Sequence, residues 1–188
     1  MTTMDDLFKE YLRRIQPSDQ AVKRAAESHG PLRDDLEADE EYGPFVENTM
    51  LSGSYGRDTA TFGIKDVDVI IKTTFTLVDL WERKTDEETV QECLLRLTQE
   101  AIQRTGRVAS TKRARRSIHV KLPEDSENDL PEMTMDIVPV LIQSGADTDP
   151  MIISDREMSQ WCDTYPNTQL SDSVKRNDQS TVIRHYPK

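Results

Sequence analysis

One stretch of the chain limits its folding more than any other: residues 51–71, LSGSYGRDTATFGIKDVDVII. It ends in a run in which Asp66 and Asp68 alternate with aliphatic residues, which predicts a β-strand with one apolar face. The two carboxylates would then lie on the same strand face, about 7 Å apart. If both ionise at the edge of a core, they repel each other and one pKa rises. A fold built on this strand must therefore place positive charge beside it.

A divalent cation would remove this conflict, and Asp136 is a third candidate ligand for it. Asp136 stands alone among aliphatic residues in TMDIVPVL, which predicts a second strand. Magnesium, or manganese in its place, binds carboxylates together with substrate phosphates and retains several waters. If the two strands are neighbours, Asp66, Asp68 and Asp136 can hold two metal ions. One ion would activate an attacking hydroxyl, and the other would stabilise a triphosphate and its leaving group.

The pair Gly53-Ser54 precedes Asp66 by a spacer of eleven residues. Glycine lets the backbone approach a phosphate without a Cβ in the way, and successive N–H groups and a hydroxyl can bind its oxygens. The following residues, YGRDTA, are expected to begin a helix whose N-terminus faces the same phosphates. Each feature alone has a plain explanation: a turn, an edge strand with a solvent face, or a paired structural acid. Their combination indicates a nucleotide site.

Composition indicates one domain with a modest core, since 35% of the 188 residues are hydrophobic and 31% are charged. A net charge of −11 argues against general affinity for nucleic acid but does not exclude a local basic patch. Cys93 and Cys162 have no metal-type spacing and are interpreted as free thiols in a reducing cytosol. Without a signal peptide or an apolar run of roughly 20 residues, we expect a soluble, cytoplasmic chain with no membrane partner.

Hydrophobic spacing predicts helices and strands in the order helices, strands, helix, strands. Ser18 is the expected N-cap of the second helix, which Pro31 should kink or divide. This order predicts an α/β (α+β) fold with a mixed β-sheet flanked by helices. The predicted helices are 4–15, 18–32, 86–104 and 154–166, and the predicted strands are 46–52, 66–72, 115–122 and 132–142, the last two forming a hairpin.

The run RVASTKRARR over residues 107–116 is the one basic segment in an acidic chain. It could hold an acceptor nucleotide, nucleic acid or product phosphates, or it could form a solvated hairpin edge that prevents strand pairing. No aromatic residue is interleaved with its charges, so a platform for stacking bases is not expected. His119, in the following strand, is interpreted as structural.

The pattern Gly53-Ser54, spacer, Asp66-Val67-Asp68 resembles the nucleotidyltransferase superfamily typified by DNA polymerase beta. Its signature is Gly-[Gly/Ser], a spacer of about this length, and Asp-x-[Asp/Glu] on a strand, with Asp136 in the place of the later third carboxylate. The segments GSYGRDTA, DVDVII and MDIVPVL are most similar to the branch that contains cyclic GMP-AMP synthase-like and oligoadenylate synthase-like enzymes. Bacterial members of that branch make cyclic oligonucleotide signals in anti-phage defence. The resemblance covers about residues 45–166, where Trp161 matches a family tryptophan by position alone.

The resemblance implies a polymerase beta-like catalytic core at 45–145, N-terminal helices at 1–44 and a polar segment at 146–188 that could begin a truncated helical lobe. It implies magnesium- or manganese-dependent transfer from a nucleoside triphosphate to a nucleotide hydroxyl, giving a cyclic or linear oligonucleotide. Asp66 and Asp68 would bind both metals, and Asp136 would bind the one that activates the hydroxyl. Gly53 and Ser54 would hold the β- and γ-phosphates.

Two departures from the branch bear on these expectations. Asp58 precedes Thr59 where many members have glycine, and this extra acid beside the triphosphate could alter nucleotide preference. Members also usually carry a C-terminal helical lobe, so an exposed site that needs a further lobe or a regulatory partner protein is expected. Two alternatives remain: a nucleotidyltransferase toxin acting on a protein or tRNA acceptor, and a catalytically weak nucleotide-binding relative.

Overall fold

The computed structural model describes residues 3–57, 60, 64, 66–123, 133–143 and 147–179. The helices in these ranges are α1 (Met4–Ile15), α2 (Asp19–Ala38), α3 (Gly53–Gly56), α4 (Leu77–Arg83), α5 (Val90–Arg104) and α6 (Pro166–Gln179). The strands are β1 (Val46–Ser52), β2 (Asp66–Thr73), β3 (Ser110–Arg113), β4 (Ile118–Lys121), β5 (Thr134–Leu141), β6 (Met151–Asp155) and β7 (Gln160–Thr164). None of the described helices is long and apolar enough to cross a membrane.

The strands form one mixed sheet in the order β1-β2-β5-β4-β3, which confirms the predicted fold class. The central pair, β2 and β5, is parallel, and the other described pairs are antiparallel. β4 lies beside the first half of β5, and β6 lies beside its last residues and continues the sheet to β7. Because a parallel pair needs a crossover connection, α4, α5 and the β3–β4 hairpin all lie between β2 and β5 in sequence.

The two faces of the sheet differ because side chains alternate along each strand. One face packs against α2, α4 and α5 in the main core, whose fully buried members include Val67, Ile71, Met135, Ile137, Leu36, Leu80, Leu94 and Ile102. The opposite face carries the three candidate aspartates at one end. A smaller apolar cluster of Ile70, Val140, Ile142 and Met151 occupies the rest of that face.

Helix α2 follows the prediction at its start, and Pro31 does not divide it. The Ser18 hydroxyl caps it by accepting a hydrogen bond from the Ala21 amide at 3.1 Å. The helix continues past Pro31 to Ala38 as one element, although proline in a helix interior costs about 3 kcal/mol. The second half is held by burial of Leu36 and by Arg33, which donates to the Thr49 hydroxyl at 2.6 Å and to its carbonyl at 2.9 Å.

The helix predicted over residues 154–166 is wrong, because this segment forms the β6–β7 hairpin. Ser154, the first residue of that predicted helix, lies in β6 opposite Trp161 of β7. Asp155 is fully buried and bound by two arginines from the β3–β4 turn, so the sheet determines the conformation of this segment. Helix α4 and strand β3 were not predicted. Helix α5 begins at Val90, later than expected, where Thr89 and Glu92 form a capping box.

Helix α6 is fastened at its start to the face that carries the aspartates. The buried Lys72 ammonium donates to Asp147 at 2.7 Å and to the Asn167 side chain at 2.9 Å. Asp149 accepts from the backbone amides of Asn167 and Thr168 at 3.3 and 2.7 Å. These bonds satisfy free amides of the first helical turn, so the Asp147–Asp149 loop determines where α6 begins.

Tyr42 links the segment before β1 to α5 through a buried hydrogen bond. Its hydroxyl lies 2.8 Å from the Thr98 hydroxyl, which donates its own hydrogen to the Leu94 carbonyl at 2.8 Å. Tyr42 is therefore the donor to Thr98. Burial raises the pKa of Tyr42, which keeps this donor protonated.

Replacing Thr98 by valine should lower the free energy of unfolding by about 1–3 kcal/mol, because the buried Tyr42 hydroxyl loses its acceptor. Tyr42→Phe should cost about 1 kcal/mol, since it removes the donor and leaves Thr98 bonded to Leu94. Urea unfolding of both single variants and the double variant measures the coupling. The double variant should lose less free energy of unfolding than the two single variants lose together. Strict additivity of the two losses would contradict the Tyr42–Thr98 hydrogen bond.

Candidate active site

Strand pairing brings three sequence-predicted site residues together at one end of the sheet. Asp68 of β2 lies beside Ser52 of β1 on one side and beside Asp136 of β5 on the other. Neighbouring strands are about 4.8 Å apart, so the two aspartates start from adjacent backbones and the same sheet face. Gly53 follows Ser52 directly. The acidic strands are therefore neighbours, as the metal hypothesis requires.

Asp66 lies on the same face, two residues before Asp68, at the exposed start of β2. Its carboxylate accepts a hydrogen bond from the Thr134 hydroxyl, and Thr134 is its register partner on β5. The site thus has Asp68 and Asp136 side by side with Asp66 at its outer edge. Ser54 follows in the turn and is half-buried.

The turn after β1 requires glycine for two separate reasons. Gly53 has a φ of 62°, and a Cβ there would lie 1.6 Å from the Asp68 carboxylate oxygen Oδ2. At Gly56 a Cβ would lie 2.5 Å from the Leu51 carbonyl carbon. The backbone of the turn consequently lies directly against the Asp68 carboxylate. The helix expected here is the single turn α3, and Asp58 and Thr59 lie outside the described residues.

Helix α2 supports this turn from behind, a contact that the sequence analysis missed. The Tyr55 ring of α3 lies edge-on to the His29 ring, with centroids 5.7 Å apart, and its hydroxyl lies 3.5 Å from the Val22 carbonyl. His29 is buried, and neither ring nitrogen has a hydrogen-bond partner among the described residues. Burial, together with the nearby Arg33 charge, lowers the pKa of His29 and favours the neutral imidazole.

His119 lies next to the third carboxylate, although the sequence analysis interpreted it as structural. It is the β4 partner of Asp136 in the sheet, and its Nδ1 lies 3.2 Å from the Asp136 oxygen Oδ1. The two side chains are 40% and 43% exposed, so the pair faces solvent. No motif could have revealed this contact, because it depends on the register between β4 and β5.

A cleft of about 530 Å³ opens beside this pair. It lies between the β3–β4 turn and the β6–β7 turn, and Asp136 forms part of its wall. Basic side chains dominate its lining, which includes Lys112, Arg113, Arg115, His119, Asp136, Arg156 and Glu157. Trp161, matched to the family by position, lies in β7 and packs against the main core.

The basic run at 107–116 serves two different purposes. Arg107 forms an ion pair with Asp35 of α2. Arg115 and Arg116 both bind Asp155, at 2.7 and 2.8 Å, and so tie the β3–β4 turn to the β6–β7 turn. Lys112 and Arg113 remain, and they line the cleft. Sequence analysis found the run but had no signal for its pairing with Asp155.

The donor set suits a hard divalent cation, since three carboxylates lie on two adjacent strands at an accessible edge. Among the described residues, no three carboxylate, imidazole or thiol groups are already gathered closely enough to enclose a metal ion. Asp66 is bonded to Thr134 and Asp136 to His119.

Replacing Gly53 by alanine should disturb the site more than the fold. A positive φ costs a residue with a Cβ roughly 1–2 kcal/mol, and the new methyl group would also displace the Asp68 carboxylate. Gly106→Ala is a matched control, because its φ is 68° and nothing lies within 4 Å of a Cβ there. Both variants should lose similar backbone stability in urea unfolding, and Gly53→Ala alone should lose affinity for Mn²⁺ with nucleotide. Equal nucleotide affinity in the two variants would contradict a role for the close approach between Gly53 and the Asp68 carboxylate.

The two ion pairs that Asp155 forms with Arg115 and Arg116 are called the Asp155 clamp below. This clamp should make the stability of the fold depend on pH. Hydrogen bonds from Arg115 hold the pKa of Asp155 well below its usual value. A lowered folded-state pKa stabilises the fold above the ordinary pKa of about 4, and this contribution is lost as the pH falls through the folded-state pKa. Asp155→Asn should therefore lower Tm at pH 7, and the difference from the parent should shrink below about pH 4. Asp163→Asn, an exposed change in the same hairpin, is the control, and a pH-independent difference for Asp155→Asn would contradict the clamp.

Residues 1–177 match the family described as SMODS, the Second Messenger Oligonucleotide or Dinucleotide Synthetase domain. A cyclic AMP-AMP-AMP synthase from an Acinetobacter species is 30% identical over 187 residues, which cover 94% of this chain and 48% of that protein. The chain thus spans about half the length of this relative.

Solved structures share the fold at lower identity. CdnC from E. coli MS115-1, solved with ATP, has a TM-score of 0.66 at 17% identity over 96% of this chain and 54% of that one. The CdnE cyclic dinucleotide synthase from Elizabethkingia meningoseptica, solved with GTP and Apcpp, has a TM-score of 0.59 at 17% identity over 94% of this chain and 60% of that one. With the family match extending over residues 1–177, the chain belongs to the SMODS family and has the nucleotidyltransferase fold of cyclic oligonucleotide synthases.

Proposed function

We propose that this chain is the nucleotidyltransferase unit of a synthase that joins nucleoside triphosphates into a cyclic or linear oligonucleotide second messenger. The observation that carries the proposal is the register that sets Asp68 beside Asp136, with the Gly53 backbone directly against the Asp68 carboxylate. Family membership supports it. The proposal includes a role in anti-phage defence, because the sequence resembles the bacterial branch that makes such signals.

Gly53 and Ser54 are proposed to hold the β- and γ-phosphates of the donor nucleotide. The turn begins in contact with Asp68, so phosphates bound along it would extend toward the carboxylates. Tyr55 and His29 would keep the turn in place from the α2 side. An aromatic contact made by a neutral imidazole serves this purpose, because a charge there would be costly to bury.

Asp66, Asp68 and Asp136 are the proposed ligands for magnesium or manganese. Asp66 and Asp68 would bind both ions, and Asp136 would bind the one nearest the acceptor hydroxyl. When bound, such ions neutralise triphosphate charge and make the hydroxyl easier to deprotonate. His119 would orient the Asp136 carboxylate through the Nδ1 contact at 3.2 Å.

The carboxylate edge is open to solvent, since Asp66 is exposed and Asp136 is 43% exposed. Efficient transfer requires aligned reactants and exclusion of water. We therefore expect the 188-residue chain by itself to bind metal-nucleotide weakly and turn it over slowly. An additional lobe or a regulatory partner protein would complete the site. E. coli MS115-1 CdnC has been solved in complex with HORMA-deltaN, which supports proposing such a partner.

Asp68→Asn should reduce metal-dependent nucleotidyl transfer by more than about 100-fold, because even indirect changes around a metal cost 10–100-fold. Without metal, the variant should be as stable as the parent or more stable, since carboxylate repulsion is relieved. The chain would be incubated with the four nucleoside triphosphates and Mg²⁺ or Mn²⁺, with and without tRNA, and products identified by mass.

Asp172→Asn on the exposed surface of α6 is the matched control and should change neither activity nor Mn²⁺ binding. Mn²⁺ binding measured by electron paramagnetic resonance gives a readout that does not depend on turnover. Normal Mn²⁺ binding and normal products from Asp68→Asn would refute the proposed site. Nucleotide transfer to tRNA in place of oligonucleotide synthesis would favour the toxin alternative.

A further inference from the structure

We infer that the basic cleft beside Asp136 is an acceptor subsite that binds the 5′-phosphate of the acceptor nucleotide through Lys112, Arg113 and Arg156. The inference rests on the proposed function and deepens it, because it names the group on the acceptor that is recognised. The inference predicts that the chain binds phosphorylated acceptors more tightly than nucleosides.

The charge of the cleft is opposite to that of the chain. The chain carries a net charge of −11, yet four cationic side chains and two carboxylates line this cleft. Arg115 is bound to Asp155 and Glu157, at 2.7 and 3.6 Å. Among the described residues, Lys112, Arg113 and Arg156 have no carboxylate within ion-pair distance. Three cations and the single carboxylate of Asp136 therefore remain in the described lining, and this excess of positive charge favours an anionic ligand.

The strand order places this cleft on the acceptor side of the carboxylates. In the order β1-β2-β5-β4-β3, the Gly53 turn follows β1, while the cleft borders β4 and β3. The proposed donor phosphates and the cleft therefore lie on opposite sides of the Asp68–Asp136 pair. Phosphoryl transfer needs attacking and leaving oxygens roughly in line, so the acceptor enters from the side opposite the leaving group. Asp136, which would hold the ion at the acceptor hydroxyl, forms part of the cleft wall.

The two turns beside the cleft, and the Arg156 guanidinium, are held in place before any ligand arrives. The Asp155 clamp ties together the two turns that form the cleft walls. Arg156 is the residue after Asp155, and the Arg156 backbone amide donates to the Arg115 carbonyl at 3.2 Å. Its guanidinium donates to the Arg113 carbonyl at 3.3 Å. A fixed arrangement of this kind lowers the entropy lost when a phosphate binds.

The shape and composition of the cleft favour one nucleotide over a polymer. A volume of about 530 Å³ lies within the range of small-molecule sites. The described part of its lining contains no phenylalanine, tyrosine or tryptophan on which bases could stack. The other arginines of the basic run, Arg107 and Arg116, are engaged in ion pairs, so within this run no continuous basic track extends from the cleft.

Binding of adenosine monophosphate and adenosine to the 188-residue chain in excess EDTA tests the inference. Without metal, the aspartates repel phosphate at the donor side, so the cleft dominates anion binding. Calorimetry should show adenosine monophosphate bound at least about tenfold more tightly than adenosine, the value of one charge-assisted contact. The His119 ring signals in NMR should shift with the nucleotide, while those of buried His29 should not.

Arg156→Gln and Lys112→Gln should each weaken adenosine monophosphate binding by about tenfold and leave adenosine binding unchanged. Arg156→Lys keeps the charge and should retain most of the affinity, which separates loss of charge from loss of folding. Arg13→Gln on exposed α1 is the matched control and should bind both ligands as the parent does. Thermal unfolding of each variant checks that the fold is intact.

Equal binding of the two ligands, or unchanged affinity in both glutamine variants, would overturn the inference. Weakened binding of single-stranded RNA with unchanged binding of adenosine monophosphate would overturn it in favour of a polymer surface. Oligonucleotide synthesis with the parental acceptor KM in Arg156→Gln would refute the subsite while the proposed function stands. If nucleotide is transferred only to tRNA while monophosphate binding still depends on Arg156, the proposed oligonucleotide synthesis fails and the anion-binding cleft stands.

Discussion

The parallel pairing of β2 with β5 is the contact on which the rest of the structure depends. It sets Asp68 beside Asp136 and places both on the face opposite the main core. A slip of one residue would turn the aspartates into the core and expose Val67 and Val69. The buried apolar side chains of both strands therefore fix the position of the acids. Hydrophobic burial holds together two carboxylates that would otherwise separate.

The same strand order divides the surface around these acids into two halves. On the β1 side, a glycine turn lies against Asp68 and is supported by Tyr55 packing on α2. On the β4 side, a basic cleft begins at Asp136 and is held in shape by Asp155. An enzyme that joins two anionic substrates needs one place for each, with the metal ligands between them. The proposed function and acceptor subsite use the two halves of this surface in that way.

Much of the local structure could be predicted because its signals lie close together in the chain. Alternating aliphatic residues predicted β2 and β5, Ser18 predicted the start of α2, and Gly53 and Ser54 predicted a turn beside a strand. Other predictions were wrong because distant contacts outweigh local preference. The helix predicted over residues 154–166 is replaced by the β6–β7 hairpin, because Asp155 is bound by arginines from another turn. Pro31 does not divide α2, because the second half of the helix packs on β1.

The sequence by itself determined the carboxylate and glycine positions, the mixed α/β class and the family resemblance, because these depend on spacing along the chain. The tertiary structure alone decided which strands are neighbours, and so which residues meet. His119 lies at Asp136, His29 at Tyr55, and Arg115 at Asp155 because of strand order and register. No short-range pattern encodes those pairings, since each joins segments that become neighbours only when the whole sheet and its core form together.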